Sequence, residues 1–182
     1  MLRLIRSRLN LRSQVWVETA IYTLIGLTLL AIVLSVAVPQ VNKSKDRSVI
    51  RQTSDSLDDL DNKILEIVEV AGNTRIFYFN FEKGRLEVNG VDDNINYILE
   101  NTNLKFSEPG KNIKYRDLDI LTETYGKRYT VKLLLNYKDI IDITYNDKDE
   151  NKAFFGGVYK VKISNKGFDN VKNEFKINFD II

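Results

Sequence analysis

The sequence predicts an α+β protein. A long N-terminal hydrophobic helix, kinked near Pro39, is followed by an antiparallel β-sandwich-like head domain. Three observations carry this. Ala20 to Val38 is an uninterrupted uncharged run. Apolar residues then recur at heptad spacing up to Ala71. After Gly72 the period changes from about 3.5 to 2, the signature of strands.

The apolar run comes first. Its nineteen residues span about 28 Å as a helix at 1.5 Å per residue, close to the hydrocarbon thickness of a bilayer. Trp16 and Tyr22 suit an interfacial anchor at its leading end. Pro39 follows, and a proline in that place ends or kinks a helix. The residues beyond favour a kink, because the helical pattern resumes. Ile50, Leu57, Ile64 and Ala71 are spaced by seven, and Thr53, Leu60 and Ile67 form the partner series. Such a stripe packs either on the chain's own sheet or on helices of other subunits. Asp55, Asp58, Asp59, Asp61 and Lys63 are assigned to the wet face. Gly72-Asn73 is a stop signal. The expected organisation is a basic leader over 1–13, a long helix over 14–71 (transmembrane about 20–38, amphipathic 40–71) and a β head over 72–182.

In the head, Phe77, Phe79 and Phe81 alternate with other residues. Glu82-Lys83-Gly84 is read as a turn into a second strand carrying Leu86 and Val88. Further strands are expected at Ile95–Leu99, Leu118–Thr122, Tyr129–Leu135, Ile140–Tyr145, Val158–Ile163 and Phe175–Phe179. Turn signals separate them at Asn89-Gly90, Glu108-Pro109-Gly110, Gly126, Asn146-Asp147 and Asn165-Lys166-Gly167. Short strands at this spacing form an antiparallel sandwich or a strongly curled sheet.

Composition narrows the function. Lysine and arginine total 27 against 25 acids, a net charge of +2, and no long basic stripe follows the N-terminus. Nucleic acid is therefore not expected as a partner. Without histidine or cysteine the chain lacks the commonest general base, the commonest metal ligand and any thiolate chemistry. No catalytic residues, cofactor or metal are expected. Asp147, Asp149 and Asn151 begin like a calcium loop, but Lys152 stands where glycine is required and Val158 where the bidentate acid belongs. Phe154 to Gly157 reads as a strand start with a flexible turn, or as an exposed apolar loop for subunit contact. Asn42-Lys43-Ser44 is the sole glycosylation sequon.

The N-terminus has three readings: a permanent signal anchor, a secretory signal cut after Ala37, or a leader cut before the apolar run. Four arginines and no acid lie in the first thirteen residues. The segment "RSQVWVE" resembles the processing site of type IV pilin precursors. There, a membrane aspartyl peptidase removes a short basic leader ahead of the apolar helix. The resemblance implies a cut between Ser13 and Gln14, with Arg12 and Ser13 matching the archaeal pattern. Glu18 then becomes the fifth mature residue, the family's characteristic position for glutamate. The bacterial pattern prefers glycine before the cut and phenylalanine after it, and this chain departs from it. The resemblance is specific over about Arg12 to Pro39. It implies a filament subunit, major or minor, at the cell surface. Its expected partners are a prepilin peptidase, related pilin subunits and the membrane. Glu18 would set register, Pro39 the kink, and Ile50, Leu57, Leu60, Ile64 and Ile67 the packing stripe. The alternative is a bitopic membrane protein with an extracytoplasmic β-sandwich binding domain and no filament.

Overall fold

The computed structural model describes the backbone from Leu2 to Ile182 and side chains from Val15 onward. One helix, α1 (Leu2–Val68), precedes eight strands. These are β1 (Thr74–Asn89), β2 (Asn94–Thr102), β3 (Asn112–Tyr115), β4 (Leu118–Tyr125), β5 (Arg128–Asn136), β6 (Ile141–Tyr145), β7 (Asn151–Asp169) and β8 (Glu174–Ile181). The chain forms two compact units, residues 1–42 and 43–182, so the C-terminal part of α1 belongs with the strands. Pro39 lies inside α1, and the helical backbone runs through it rather than ending there.

Among the described residues, the strands make one sheet in the order β3-β4-β5-β2-β1-β7-β8-β6. Every neighbouring pair is antiparallel except β6 with β8, which is parallel. Of the two arrangements allowed by the strand spacing, the chain adopts the curled sheet. The β1–β2 turn reaches β6 directly, since the Ile143 amide donates to Asp93 Oδ1 at 2.8 Å.

From Asp46 onward one face of α1 is buried against the sheet. Ile50, Leu57, Leu60, Ile64 and Ile67 are each at most 1% exposed and join Phe77, Phe79, Leu86, Ile95 and Leu133 in one core. Burying aliphatic side chains is worth roughly 1.5–3 kcal/mol each, so these five account for on the order of 10 kcal/mol before entropy is counted. The stripe thus packs on the chain's own sheet.

Three local expectations are corrected. The helix ends at Val68 rather than Ala71. Its last carbonyls are taken by a distant side chain: the buried Asn165 amide donates to Ile67 O at 2.8 Å and Val68 O at 3.0 Å. These are the orphan acceptors that every helix end leaves. Gly72, with φ of 83°, then turns the chain toward β1.

Glu82-Lys83-Gly84 is not a turn but a bulge within β1, where the pairing with β7 shifts between Phe81 and Arg85. The bulge changes which residues face inward: Phe77, Phe79 and Phe81 before it, Leu86 and Val88 after it. A change of phase moves the apolar set to the opposite face unless the backbone also shifts. Asn165-Lys166-Gly167 is likewise a bulge inside β7, and the chain turns only after Asp169. Strand β3 was not expected. It has four residues, lies at the sheet edge and shows no extended alternation.

Gly84 is bound to its place twice over. Its φ is +81°, and an added Cβ would lie 2.6 Å from the Tyr97 hydroxyl and 2.7 Å from Ile98 O. That hydroxyl donates to Lys83 O at 2.6 Å, so Tyr97 plugs the bulge. Gly84→Ala should therefore destabilise the folded chain by ~2–5 kcal/mol, combining left-handed backbone strain with overpacking. Gly126→Ala, at φ of +61° with open space around it, should cost about 1 kcal/mol. Denaturant titration of the two variants checks this; equal losses would show that the bulge is not sterically closed.

Candidate functional site

Two regions bear on function, and each is described by itself. The first is α1 from Val15 to Val41. Its large apolar side chains, among them Trp16, Ile21, Leu24, Leu27, Leu30 and Val33, are all exposed. The segment includes a window with mean hydropathy 2.5, long and apolar enough to cross a membrane. Its threonine and serine hydroxyls are internally satisfied. Thr19, Thr23 and Thr28 donate to the carbonyls of Val15, Thr19 and Leu24 at 2.8–2.9 Å, and Ser35 donates to Ile32 O at 2.7 Å. Polar groups bonded this way can enter a dry environment without the cost of an unmade hydrogen bond.

Of the sequence-predicted residues, Glu18 and Asn42 are exposed on α1. The side chains of Arg12, Ser13 and Gln14 lie outside the described residues. At Pro39 the ring removes the amide that would serve the carbonyl of Ser35, four residues earlier.

The second region is the contact between α1 and the sheet within residues 43–182. Asp46 is 6% exposed, accepting from Lys83 Nζ at 2.7 Å and from Thr102 Oγ1 at 2.6 Å. Fifteen residues on, Asp61 is 7% exposed and accepts from the Tyr137 hydroxyl at 2.7 Å. The wet face predicted for Asp61 is corrected, because it lies four residues after Leu57 and three before Ile64, on the side of α1 that packs on the sheet. Asp58 meets Arg116 in an ion pair, and Lys63 lies over the Phe77 ring, 5.2 Å from its centroid. The helix is therefore held by an apolar stripe flanked with polar contacts to β1, β2 and the loops after β3 and β5.

Three carboxylates also converge from separate elements: Asp93 of the β1–β2 turn, Asp142 of β6 and Glu174 of β8. Their oxygens lie within 4.8 Å of one another. Lys172 Nζ sits 2.7 Å from Asp142 Oδ1 and 3.6 Å from Asp149. Burial raises the carboxyls of Asp93 and Glu174 above their ordinary range, and the hydrogen bond to Asp142 raises Lys172. Lys172 meets only one oxygen of Asp142; the other, Oδ2, is buried without a hydrogen-bond partner. Within the acidic loop, Asp147 pairs with Lys166 at 2.7 Å, which fits a solvated hairpin.

Phe154 to Gly157 lies inside β7, opposite the β1 bulge. Phe154 is buried and Phe155 is exposed. Gly156 allows close approach, since a Cβ there would fall 2.7 Å from Glu82 O. The glycines thus fit a bulge in the neighbouring strand.

One long apolar helix followed by a β-rich domain is compatible with a pilin-like fold. Comparison of the chain with protein-family models, with curated proteins and with solved structures gives no match.

Burial pushes the Asp61 carboxyl above its ordinary value; the Tyr137 hydrogen bond opposes this, and the charges of Asp117 and Asp58 reinforce it. A carboxyl with a raised folded-state pKa contributes stability that is complete below its unfolded pKa of about 3.9 and is lost as pH rises through the folded value. Asp61→Asn keeps an acceptor for Tyr137 but removes the titration. The stability difference between variant and parent should therefore move in the variant's favour between pH 3.5 and pH 7. Urea titrations at the two pH values measure this, and a difference independent of pH would contradict it.

Proposed function

We propose that this chain is a filament subunit of the type IV pilin kind, held in a membrane before assembly. The observation that carries the proposal is the exposed apolar surface of α1 from Val15 to Val41, with its threonine and serine hydroxyls already bonded within the helix. Such a surface needs a lipid bilayer or a bundle of like helices around it. Both the pilin-like subunit and the bitopic membrane protein use that surface. The N-terminal residues favour the subunit: a basic leader, Arg12-Ser13, and Glu18 five positions beyond the cut.

The mechanism is assembly rather than catalysis. Cleavage by a prepilin peptidase between Ser13 and Gln14 creates a new α-amine on Gln14. In a bundle of apolar helices an unpaired Glu18 is costly, and the α-amine of a neighbouring subunit removes the cost. That pairing fixes the axial register of adjacent chains. The head lies on the extracytoplasmic side, where Asn42 is accessible for glycosylation.

Intact-mass measurement of the membrane-extracted protein tests the processing. A mature chain beginning at Gln14 is expected. A start at Met1 would support a simple anchor, and a start at Val38 secretion; either contradicts the proposal.

Glu18→Ala should leave leader removal intact while reducing incorporation into filaments at least tenfold, read by immunoblot of sheared surface fractions. Normal incorporation of this variant would exclude the register role.

A further inference from the structure

We infer that Asp93, Asp142 and Glu174 form a binding site for a divalent cation of the calcium type, which fastens the edge strand β6 to the β1–β2 turn and to the start of β8. The three carboxylates come from separate elements, and one oxygen of each lies within 4.8 Å of the others. A point central to such a triangle is at most about 2.8 Å from each oxygen, and calcium–oxygen bonds are roughly 2.3–2.6 Å long, so a small inward movement completes the contact. The lack of histidine and cysteine argues against zinc, but not against a hard cation that takes oxygen ligands.

A second observation points to a ligand. Asp142 is 2% exposed, and its Oδ2 has no hydrogen-bond partner. Lys176 Nζ stands 3.9 Å from that oxygen, beyond hydrogen-bonding distance. A buried carboxylate oxygen left unbonded is costly. Asp93 gives Oδ1 to the Ile143 amide, which leaves its other oxygen for a ligand. Asp93 and Glu174 are half-buried, and among the described residues neither forms an ion pair. Asp149 lies at the margin, 3.6 Å from Lys172. These four carboxylates, set against Lys172 and Lys176, leave two negative charges, which a divalent cation balances.

Lys172 is the group that the ion replaces. It stands on the β7–β8 turn with its side chain 44% exposed, and its flexible stem can carry the ammonium outward to Asp149. In the vacated place a cation meets Asp142 through both oxygens, whereas the ammonium bonds only Oδ1. The link matters for the sheet. Strand β6 lies at the edge and pairs only with β8. A shared ion adds a second tie from β6 to the β1–β2 turn, beside the bond from the Ile143 amide to Asp93. The site is independent of how the N-terminal part of α1 assembles.

The test uses the full chain in phosphatidylcholine nanodiscs, with empty nanodiscs as background. Equilibrium dialysis against radiolabelled calcium chloride should show a single saturable site per chain, with a Kd of about 10⁻³ M or tighter. Calcium should also raise the urea midpoint of the head above its value in chelator. Asp142→Asn and Glu174→Gln should each weaken binding roughly tenfold or more, since each removes a ligand charge. Lys172→Met removes the competing ammonium and should tighten binding severalfold. Binding no greater than to empty nanodiscs would overturn the inference, as would an unchanged affinity in Glu174→Gln. So would a Lys172→Met variant that loses stability with and without calcium and gains no affinity, the mark of an acid cluster neutralised by its lysine alone. If Asp142→Asn fails to fold, Glu174→Gln, which has no ion pair to lose, decides in its place.

Discussion

The burial of one face of α1 against the curled sheet is the contact on which the head depends. A sheet buries its apolar face only when another layer covers it. Here the covering layer is the segment of α1 carrying Ile50, Leu57, Leu60, Ile64 and Ile67. The polar contacts are placed at intervals along the same surface. Asp46 meets β1 and β2, Asp61 meets Tyr137, and Asn165 closes the helix end. Asp46 and Asp61 on the helix are bonded from the sheet side and Asn165 bonds the helix end, so sliding the helix by one turn would leave these contacts unmade. Apolar burial supplies most of the stabilisation, and these bonds select one register.

This arrangement bears on the proposed assembly. A heptad stripe suits contact with other helices as well as with a sheet, but in this chain it is buried within the head. In the filament reading, contact between subunits along α1 falls to Val15–Val41, where the apolar residues cover the whole circumference rather than one stripe. A helix that is apolar all round suits lipid and a multi-helix bundle equally. The same segment can therefore serve the subunit before and after assembly without a change in its own structure.

Much of this fold was legible in the sequence, and the parts that were not have physical reasons. The membrane-length run and the heptads were readable because helical periodicity is local. Most strands were readable because alternation is local too. The bulge at Glu82–Gly84 was misread as a turn because both interrupt the alternation; only the pairing with Gly157 and Phe155 tells them apart. The cap on α1 was invisible, since its donor Asn165 lies 98 residues from Ile67. Asp46 and Asp61 carry no sign of burial in a sequence where most acids are on the surface. Of the candidate sites, Glu18 and Arg12-Ser13 were found through a resemblance to precursor processing sites.

The most direct test of the account is hydrogen exchange along α1 in the full chain, in nanodiscs and again after transfer to mild denaturant. Amides from Ile50 to Val68 should exchange together with those of β1, β2 and β5, at the rate of global unfolding of the head. Amides from Ala20 to Val38 should be protected only while lipid is present. Exchange of Ile50–Val68 well ahead of the sheet, at a rate that does not follow the head, would contradict the claim that this helix face and the sheet form one core.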